Sequence, residues 1–224
     1  MPLAPPFVVF DFDGTLVHGD SITGFALDYL GARPLRVLLM LPLLAIALVA
    51  MLLGPTRSAG VSLFWWLLTC GTRARVVGEA LRRYTRRTLA PRGNAVTLAA
   101  LAEHVERGDT VIVATAAPAC VVRDLLRARG VGRAHVVGTR VARRFGGLVA
   151  RPHCIGETKV RELERRFGIT RWAEVYSDSA LDLPLMRRAN AVTLVEPSSL
   201  ARARVERALG GRVPVRVLRD APAT

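Results

Sequence analysis

Lysine is almost missing from this chain: of its 32 basic residues, only Lys159 is not arginine. An ammonium and a guanidinium are not interchangeable at a crowded anion site. A position that keeps lysine against such a bias is therefore a candidate functional position; the competing reading is a solvated charge on a helix surface. Cysteine is scarce too. Cys70, Cys120 and Cys154 are widely spaced with no C-x-x-C pair, which argues against a disulfide framework or a zinc site and for reduced thiols. His18, His104, His135 and His153 show no ligand spacing and read as surface or internally satisfied rings. Acidic residues number only 18, leaving a net charge of +14. So basic a chain raises nucleic acid as a partner, but no helix-turn-helix, RNA-binding or zinc motif accompanies the charge, and no nucleic acid is expected. A general preference for arginine accounts for part of the excess.

Against these absences stands one dense motif. The apolar run Phe7-Val8-Val9-Phe10 leads straight into Asp11-Phe12-Asp13-Gly14-Thr15. A buried strand followed by a glycine turn delivers side chains into the crevice beyond the carboxyl ends of an α/β sheet, where ligands of such sheets bind. Two carboxylates there are costly unless a cation joins them. Taken alone, the motif also reads as a strand ending in a solvated Asp-Gly turn.

The D-x-D-G-T pattern resembles the first motif of the haloacid dehalogenase (HAD) superfamily of aspartate-nucleophile phosphohydrolases. That resemblance implies three further motifs in order, and the chain supplies them. Thr110-Val111-Ile112-Val113-Ala114-Thr115 is a second strand ending in a hydroxyl. Gly156-Glu157-Thr158-Lys159-Val160 opens an amphipathic helix with Val160, Leu163 and Phe167 on one face. Glu174-Val175-Tyr176-Ser177-Asp178 continues through Asp182 as a strand ending in an acidic pair. The resemblance implies that Asp11 is the nucleophile and forms an aspartyl-phosphate. Asp13 is the general acid and then the general base, which needs a raised pKa, as a like-charged neighbour would provide. Thr115 and Lys159 hold the phosphoryl oxygens. Mg²⁺ is held by Asp11, the backbone carbonyl of Asp13 and Asp178. Asp182 orients a metal-bound water or Lys159. Asp178-Ser179 also fits an ordinary helix N-cap.

The layout expected from periodicity is a doubly wound, mostly parallel α/β sheet. Strands are expected at 7–12, 110–115, 135–141, 174–177, 191–195 and 215–218, and helices at 95–107, 118–129, 157–167, 182–188 and 199–209. Pro118 at a first helical position, and Gly130 and Gly168 just past helix ends, serve as start and stop signals. Residues 1–16 and 92–224 would make the catalytic core, and residues 17–91, about 75 in all and helical in pattern, a cap inserted between the first two motifs. A cap in this place is similar to that of the phosphoserine phosphatase branch of the superfamily. In that branch Asp20 would enter the cap as a substrate contact; it equally fits a helix N-cap beside Ser21. Gly14 and Ala116-Ala117-Pro118 depart from that branch's usual serine and glycines, which tells against an amino-acid substrate.

The cap is unusually apolar. From residue 37 to 56 there are 20 consecutive uncharged residues, and residues 35–53 include nine leucines. A helix apolar all round is either fully buried or in lipid. A single complete crossing would strand Asp11 on one side of a membrane from Thr115, Lys159 and Asp178. The expected form is therefore a hairpin over about 35–70, kinked at Pro42, turned at Gly54-Pro55, dipping into one leaflet with Trp65 and Trp66 at the interface. Arg33, Arg36, Arg57, Arg73, Arg75, Arg82, Arg83, Arg86 and Arg87 flank it, each worth on the order of 1 kcal/mol near anionic lipid. Residues 1–6 hold no basic segment and long apolar run of the signal-peptide kind. The cytoplasmic face of the cell membrane is thus the expected location, with the cytoplasm as alternative. Together with Phe145-Gly146-Gly147 and Cys154-Ile155-Gly156-Glu157-Thr158-Lys159-Val160, these features resemble the phosphatidylglycerophosphatase C type of HAD enzyme. The resemblance implies Mg²⁺-dependent removal of the terminal phosphate from phosphatidylglycerophosphate, with a membrane surface and a phospholipid phosphomonoester as partners. The alternatives are a soluble phosphatase for a small metabolite such as phosphoserine or a sugar or glycerol phosphate, and a non-catalytic membrane adaptor.

Overall fold

The computed structural model describes residues 5–53 and 55–219; Gly54 of the expected Gly54-Pro55 turn and the start of the chain at residues 1–4 lie outside them. Among the described residues six strands form one parallel sheet in the order β3-β2-β1-β6-β7-β8: β1 Phe7–Phe10, β2 Thr110–Pro118, β3 His135–Thr139, β6 Trp172–Ser177, β7 Ala189–Val195 and β8 Val215–Leu218. The chain runs outward from β1 to β3, returns, and runs outward on the other side from β6. The reversal makes the carboxyl end of β1, between β2 and β6, a topological switch point. Phe10 pairs with Val113 on one side and Tyr176 on the other, so Asp11 emerges where three strands end.

The sheet is buried on both faces, as near-continuous Val and Ile runs require. One face carries α5 (Ala95–Glu106) and α6 (Ala119–Ala128) over Val8, Phe10, Val111 and Val113. The other carries α7 (Glu157–Phe167), the short α8 (Leu183–Met186) and α9 (Ser199–Leu209) over Val9, Ile112, Val175 and Val192. Gly168 and Gly210 end α7 and α9 in the left-handed conformation, where a glycine avoids the Cβ clash. Pro118 is the extended cap residue at the end of β2, and the α6 helix starts after it. The expected 182–188 helix is a 3₁₀ turn at Ala180–Asp182 followed by α8.

Between β1 and α5 lie α1 (Ser21–Gly31), α2 (Pro34–Leu52), α3 (Arg57–Thr69) and α4 (Ala74–Tyr84), then a π turn at Thr85–Leu89 and a 3₁₀ turn at Ala90–Arg92. The insertion leaves and returns at one place: Val17 bridges to Gly93, and the His18 amide donates to the Arg92 carbonyl. The apolar stretch is α2, which continues through Pro42. It is not a core helix. Its mean hydropathy is 2.6 with only 6% of the apolar window buried, and by length and composition it could cross a membrane. Ala47 alone in α2 is buried, where Gly60 of α3 lets the two backbones meet: a Cβ on Gly60 would sit 2.8 Å from the Ala47 carbonyl oxygen.

One expected strand, 135–141, is two elements. The chain leaves β3 and forms an antiparallel hairpin, β4 (Val141–Arg144) and β5 (Gly147–Ala150), turned at Phe145-Gly146. This hairpin seats α3. Ser62 Oγ donates to the Ala150 carbonyl at 2.7 Å, Trp66 Nε1 to Phe145 at 2.9 Å, and the Leu148 amide to Thr69 Oγ1 at 2.7 Å. The tryptophans consequently depart from their expected interfacial placement. Trp65 is fully buried against Phe25, and Trp66 is half-buried on Gly147. A composition-based reading of α3 cannot say which side its indoles face.

Candidate active site

The catalytic-type residues converge at the switch point. Asp11 follows β1, with its amide donating 2.8 Å to the Tyr176 carbonyl of β6. Lys159, in the first turn of α7, points its Nζ between two carboxylates, 2.8 Å from Asp11 Oδ1 and 2.7 Å from Asp182 Oδ1. Ser177 Oγ donates 2.8 Å to Asp182 Oδ2, so Asp182 is fixed from both sides. Burial disfavours the Lys159 charge, but Asp11 and Asp182 outweigh it and hold the ammonium above the usual lysine range. Asp11 moves up, from burial first and the Asp182 charge second, with Lys159 opposing. The isolated lysine is therefore a buried bridge and not a solvated surface charge.

Asp13 projects toward the insertion. Its Oδ1 accepts 2.8 Å from the Ser21 amide, the first N–H of α1, while Asp20 caps the same helix through Thr23 N at 2.6 Å. A helix N-terminus favours both carboxylates. Asp13 is pushed up to about 6, mainly by burial; the like-charged neighbour that adds to this is Asp20. The expectation of a raised pKa holds, with desolvation as the larger cause. Asp178 lies over Gly14, where any Cβ would collide with the carboxylate, and it too is raised to about 6 by burial. Gly14 also needs its φ of +74°. Thr115 is buried at the β2 end, its Oγ1 accepting 2.9 Å from Ala117 N.

These residues share one cavity of about 1030 Å³. Asp11, Asp13, Thr115, Lys159, Asp178 and Asp182 line one end. The other end is apolar, walled by Ala26 and Leu30 of α1, Leu44 and Met51 of α2, and Val61 and Phe64 of α3. Asp20 lines the cavity while capping α1, so both of its alternative readings are compatible with its position.

A metal fits the donor chemistry. Asp11, Asp13, Asp178 and Asp182 gather around a single lysine, and three of them are raised by burial. The excess negative charge facing the cavity calls for a hard cation and offers only oxygen donors. Among the described residues no three His, Cys, Asp or Glu side chains are grouped so as to hold a metal ion by themselves.

Two features were not anticipated. Arg57 and His153 also line the cavity, and His153 departs from the satisfied-histidine expectation because its buried Nδ1 has no hydrogen-bond partner. His104 meets that expectation, with Asp109 at 2.7 Å and Tyr176 Oη at 3.2 Å. The adjacent Cys154 could have drawn attention to His153, because a cysteine beside a glycine turn before Lys159 must sit near the site. Cys154 is buried with its thiol pushed up to about 12, and all three cysteines are free.

A parallel sheet with an acid-rich switch-point crevice, one buried lysine and a helical insertion over the opening defines a hydrolase of the α/β doubly wound class. The chain belongs to the haloacid dehalogenase-like hydrolases, whose family model matches residues 8–187. Its fold is shared with a protein of unknown function from Bordetella pertussis Tohama I, at a TM-score of 0.74 and 20% identity over 95% of this chain and 99% of that one. A substrate-bound phosphoserine phosphatase superposes at 0.59 and 14% identity over 94% and 99%. Cytosolic 5'-nucleotidase IIIB bound to cytidine superposes at 0.59 and 14% identity over 97% and 81%.

Proposed function

We propose that this hydrolase is a Mg²⁺-dependent phosphatase that removes a terminal phosphate from a lipid-linked phosphomonoester such as phosphatidylglycerophosphate, working at a membrane surface. One observation carries the lipid part. The cavity that holds the carboxylates and Lys159 continues into an apolar lobe, and Leu27, Leu41, Leu48 and Leu52 both line that lobe and stand exposed at its rim. A soluble metabolite needs no such rim. Leu39 at 74% and Leu52 at 79% exposure are left largely uncovered by the other described residues. Burying a leucine is worth about 1.5–3 kcal/mol, so a few of them entering acyl chains give several kcal/mol of membrane affinity. The flanking arginines add attraction to anionic headgroups.

At the floor, Asp11 attacks phosphorus, displacing the leaving alkoxide, which takes the proton held by Asp13. Asp13, now a carboxylate, accepts a proton from water as that water attacks the aspartyl-phosphate, releasing phosphate and restoring Asp11. Lys159 and Thr115 neutralise and orient the phosphoryl oxygens, while Asp182 and Ser177 keep the ammonium aimed. Asp11, Asp178 and the backbone carbonyl of Asp13 would hold Mg²⁺, which would supply charge neutralisation for the attack of one anion on another.

Phosphate release in detergent with Mg²⁺ tests the reading, with Asp11→Asn as the inactive control. Lipid phosphomonoesters should turn over at least about tenfold faster than phosphoserine, sugar phosphates or glycerol phosphate. A preference for the soluble esters would leave a phosphatase of the metabolite kind.

A further inference from the structure

Two side chains from distant parts of the chain line the cavity and are used neither by the hydrolytic floor nor by the apolar lobe. Arg57, the first residue of α3, donates from Nε to the Met51 carbonyl at 3.0 Å, which anchors the guanidinium beside the lobe. Among the described residues it has no carboxylate partner. The acids sharing the cavity are placed elsewhere: Asp13 accepts from the Ser21 amide, Asp20 caps α1, Glu196 accepts from Asn94, Asp11 and Asp182 hold Lys159, and the Asp178 carboxylate lies against Gly14. An arginine lining a cavity without a counter-charge is poised for an anion from outside, and its planar fork suits phosphate oxygens.

His153 follows β5 and is only 8% exposed. Its Nδ1 is buried without a hydrogen-bond partner, so the ring nitrogen left to meet a ligand in the cavity is Nε2. Burial, Arg57 and Lys159 in that order push the ring down to about 4, which places it within electrostatic reach of both cations. It is thus a neutral imidazole beside two positive groups. Such a ring donates one N–H to an oxygen without adding a third charge next to Lys159.

We propose that Arg57 and His153 form a specificity subsite for an anionic, phosphodiester-type oxygen in the leaving group, between the scissile phosphate and the apolar portion of the substrate. The subsite rests on the phosphatase reading above for its substrate, but the anion contact itself does not depend on acyl chains. The two residues act on binding and positioning of the leaving group and take no part in the proton transfers assigned to Asp13.

The test measures kcat/KM for the full chain in detergent with Mg²⁺ on four phosphomonoesters. Phosphatidylglycerophosphate carries both diester and chains, its deacylated headgroup only the diester, phosphatidate only the chains, and glycerol 3-phosphate neither. Arg57→Gln should lower kcat/KM about 10–100-fold on the two diester compounds, the range for a charge-assisted hydrogen bond, and less than about 3-fold on the other two. His153→Ala should show the same selectivity at about 5–10-fold, with His153→Asn, which retains an N–H donor, recovering part of it. Equal losses on all four compounds, or undiminished cleavage of both diesters by both variants, overturns the subsite. The lipid reading fails separately: acylated and deacylated diesters would then turn over alike in the wild type while Arg57 selectivity persists. If Arg57→Gln melts early, the wild type decides, and a preference below about tenfold for the deacylated diester over glycerol 3-phosphate overturns the proposal.

Discussion

Replacing Asp178 by asparagine should stabilise the metal-free protein at neutral pH while abolishing its response to Mg²⁺. Burial lifts the Asp178 carboxyl from 3.8 to about 6, with the Asp182 charge adding and Lys159 opposing. A carboxyl whose folded pKa is raised holds its proton more tightly in the native state. Its favourable contribution is complete below the unfolded value of about 3.9 and is lost as pH rises through about 6. At about 1.4 kcal/mol per pKa unit the move amounts to roughly 3 kcal/mol. The site opens to a solvent-lined cavity, so about 1–2 kcal/mol is the fair expectation. For a chain of this size each kcal/mol moves Tm by about 2–4 °C. Asp178→Asn in EDTA at pH about 7.5 should therefore melt about 2–8 °C above the wild type, and the gap should narrow as pH falls through about 6 and close only below about 3.9, where the carboxyl is neutral in both folded and unfolded states. Mg²⁺ at about 100 times its dissociation constant should raise the wild type by about 2.7 kcal/mol, and the variant by far less. An asparagine variant that melts below the wild type in EDTA, or a gap that does not change with pH, would refute the reasoning.

Lys159→Met should cost about 3–5 kcal/mol, because Asp11 and Asp182 lose the partner of a buried pair; urea unfolding measures it, and Lys159→Arg should recover little of the activity. Asp13→Asn should slow esters with poor leaving groups by about 10²–10⁴-fold and p-nitrophenyl phosphate much less, since only the former need the proton. With Asp13 raised to about 6, its protonated share falls as pH climbs past that value, so kcat/KM for lipid esters should fall on the alkaline side and the variant should lack that limb. Leu39→Glu with Leu52→Glu should abolish co-sedimentation with anionic vesicles and leave Tm within about 2 °C, because neither side chain is packed; unchanged sedimentation would remove the membrane contact from the reading.

Residues at strand ends were legible because register does the placing. Once Phe7–Phe10 is a buried parallel strand, Asp11 must leave it at the crevice, and Thr115 and Asp178 arrive by the same rule from β2 and β6. Lys159 was legible through composition, as the lysine an arginine-rich chain retained. What periodicity could not give was orientation within the insertion. The short β4 strand and the turn after it carry Arg143, Arg144 and Phe145 outward, so the pattern looks like a loop. Without that hairpin nothing in the sequence says that α3 has a seat, or that Trp65 turns inward. His153 and Arg57 were not legible as cavity residues, since each reaches the cavity through a segment whose orientation periodicity does not set: Arg57 at the start of α3, anchored to Met51 of α2, and His153 just after β5.

The hairpin also bears on how an apolar helix can serve a site whose residues flank it in sequence. The insertion begins and ends at the Val17 and Gly93 bridge, and α3 is held to the β4–β5 hairpin by hydrogen bonds that Ser62 and Trp66 donate and Thr69 Oγ1 accepts. α2 meets α3 by backbone at Gly60 and through Arg36, which donates to the carbonyls of Leu67 and Cys70, and it presents its leucines to the cavity or to the exterior. Arg57 sits at the junction of the two helices, anchored to the Met51 carbonyl of α2, and the leucines of α2 form the rim. On the proposed mechanism, a substrate whose chains stay among the leucines of α2 would lower its phosphate to Asp11 without the chain crossing a bilayer, while Asp13 is tied to the first amide of α1. The proposed nucleophile then belongs to the sheet and the proposed acid to the sheet–cap junction. A displacement of the cap would thus alter protonation of the leaving group before it altered attack on phosphorus.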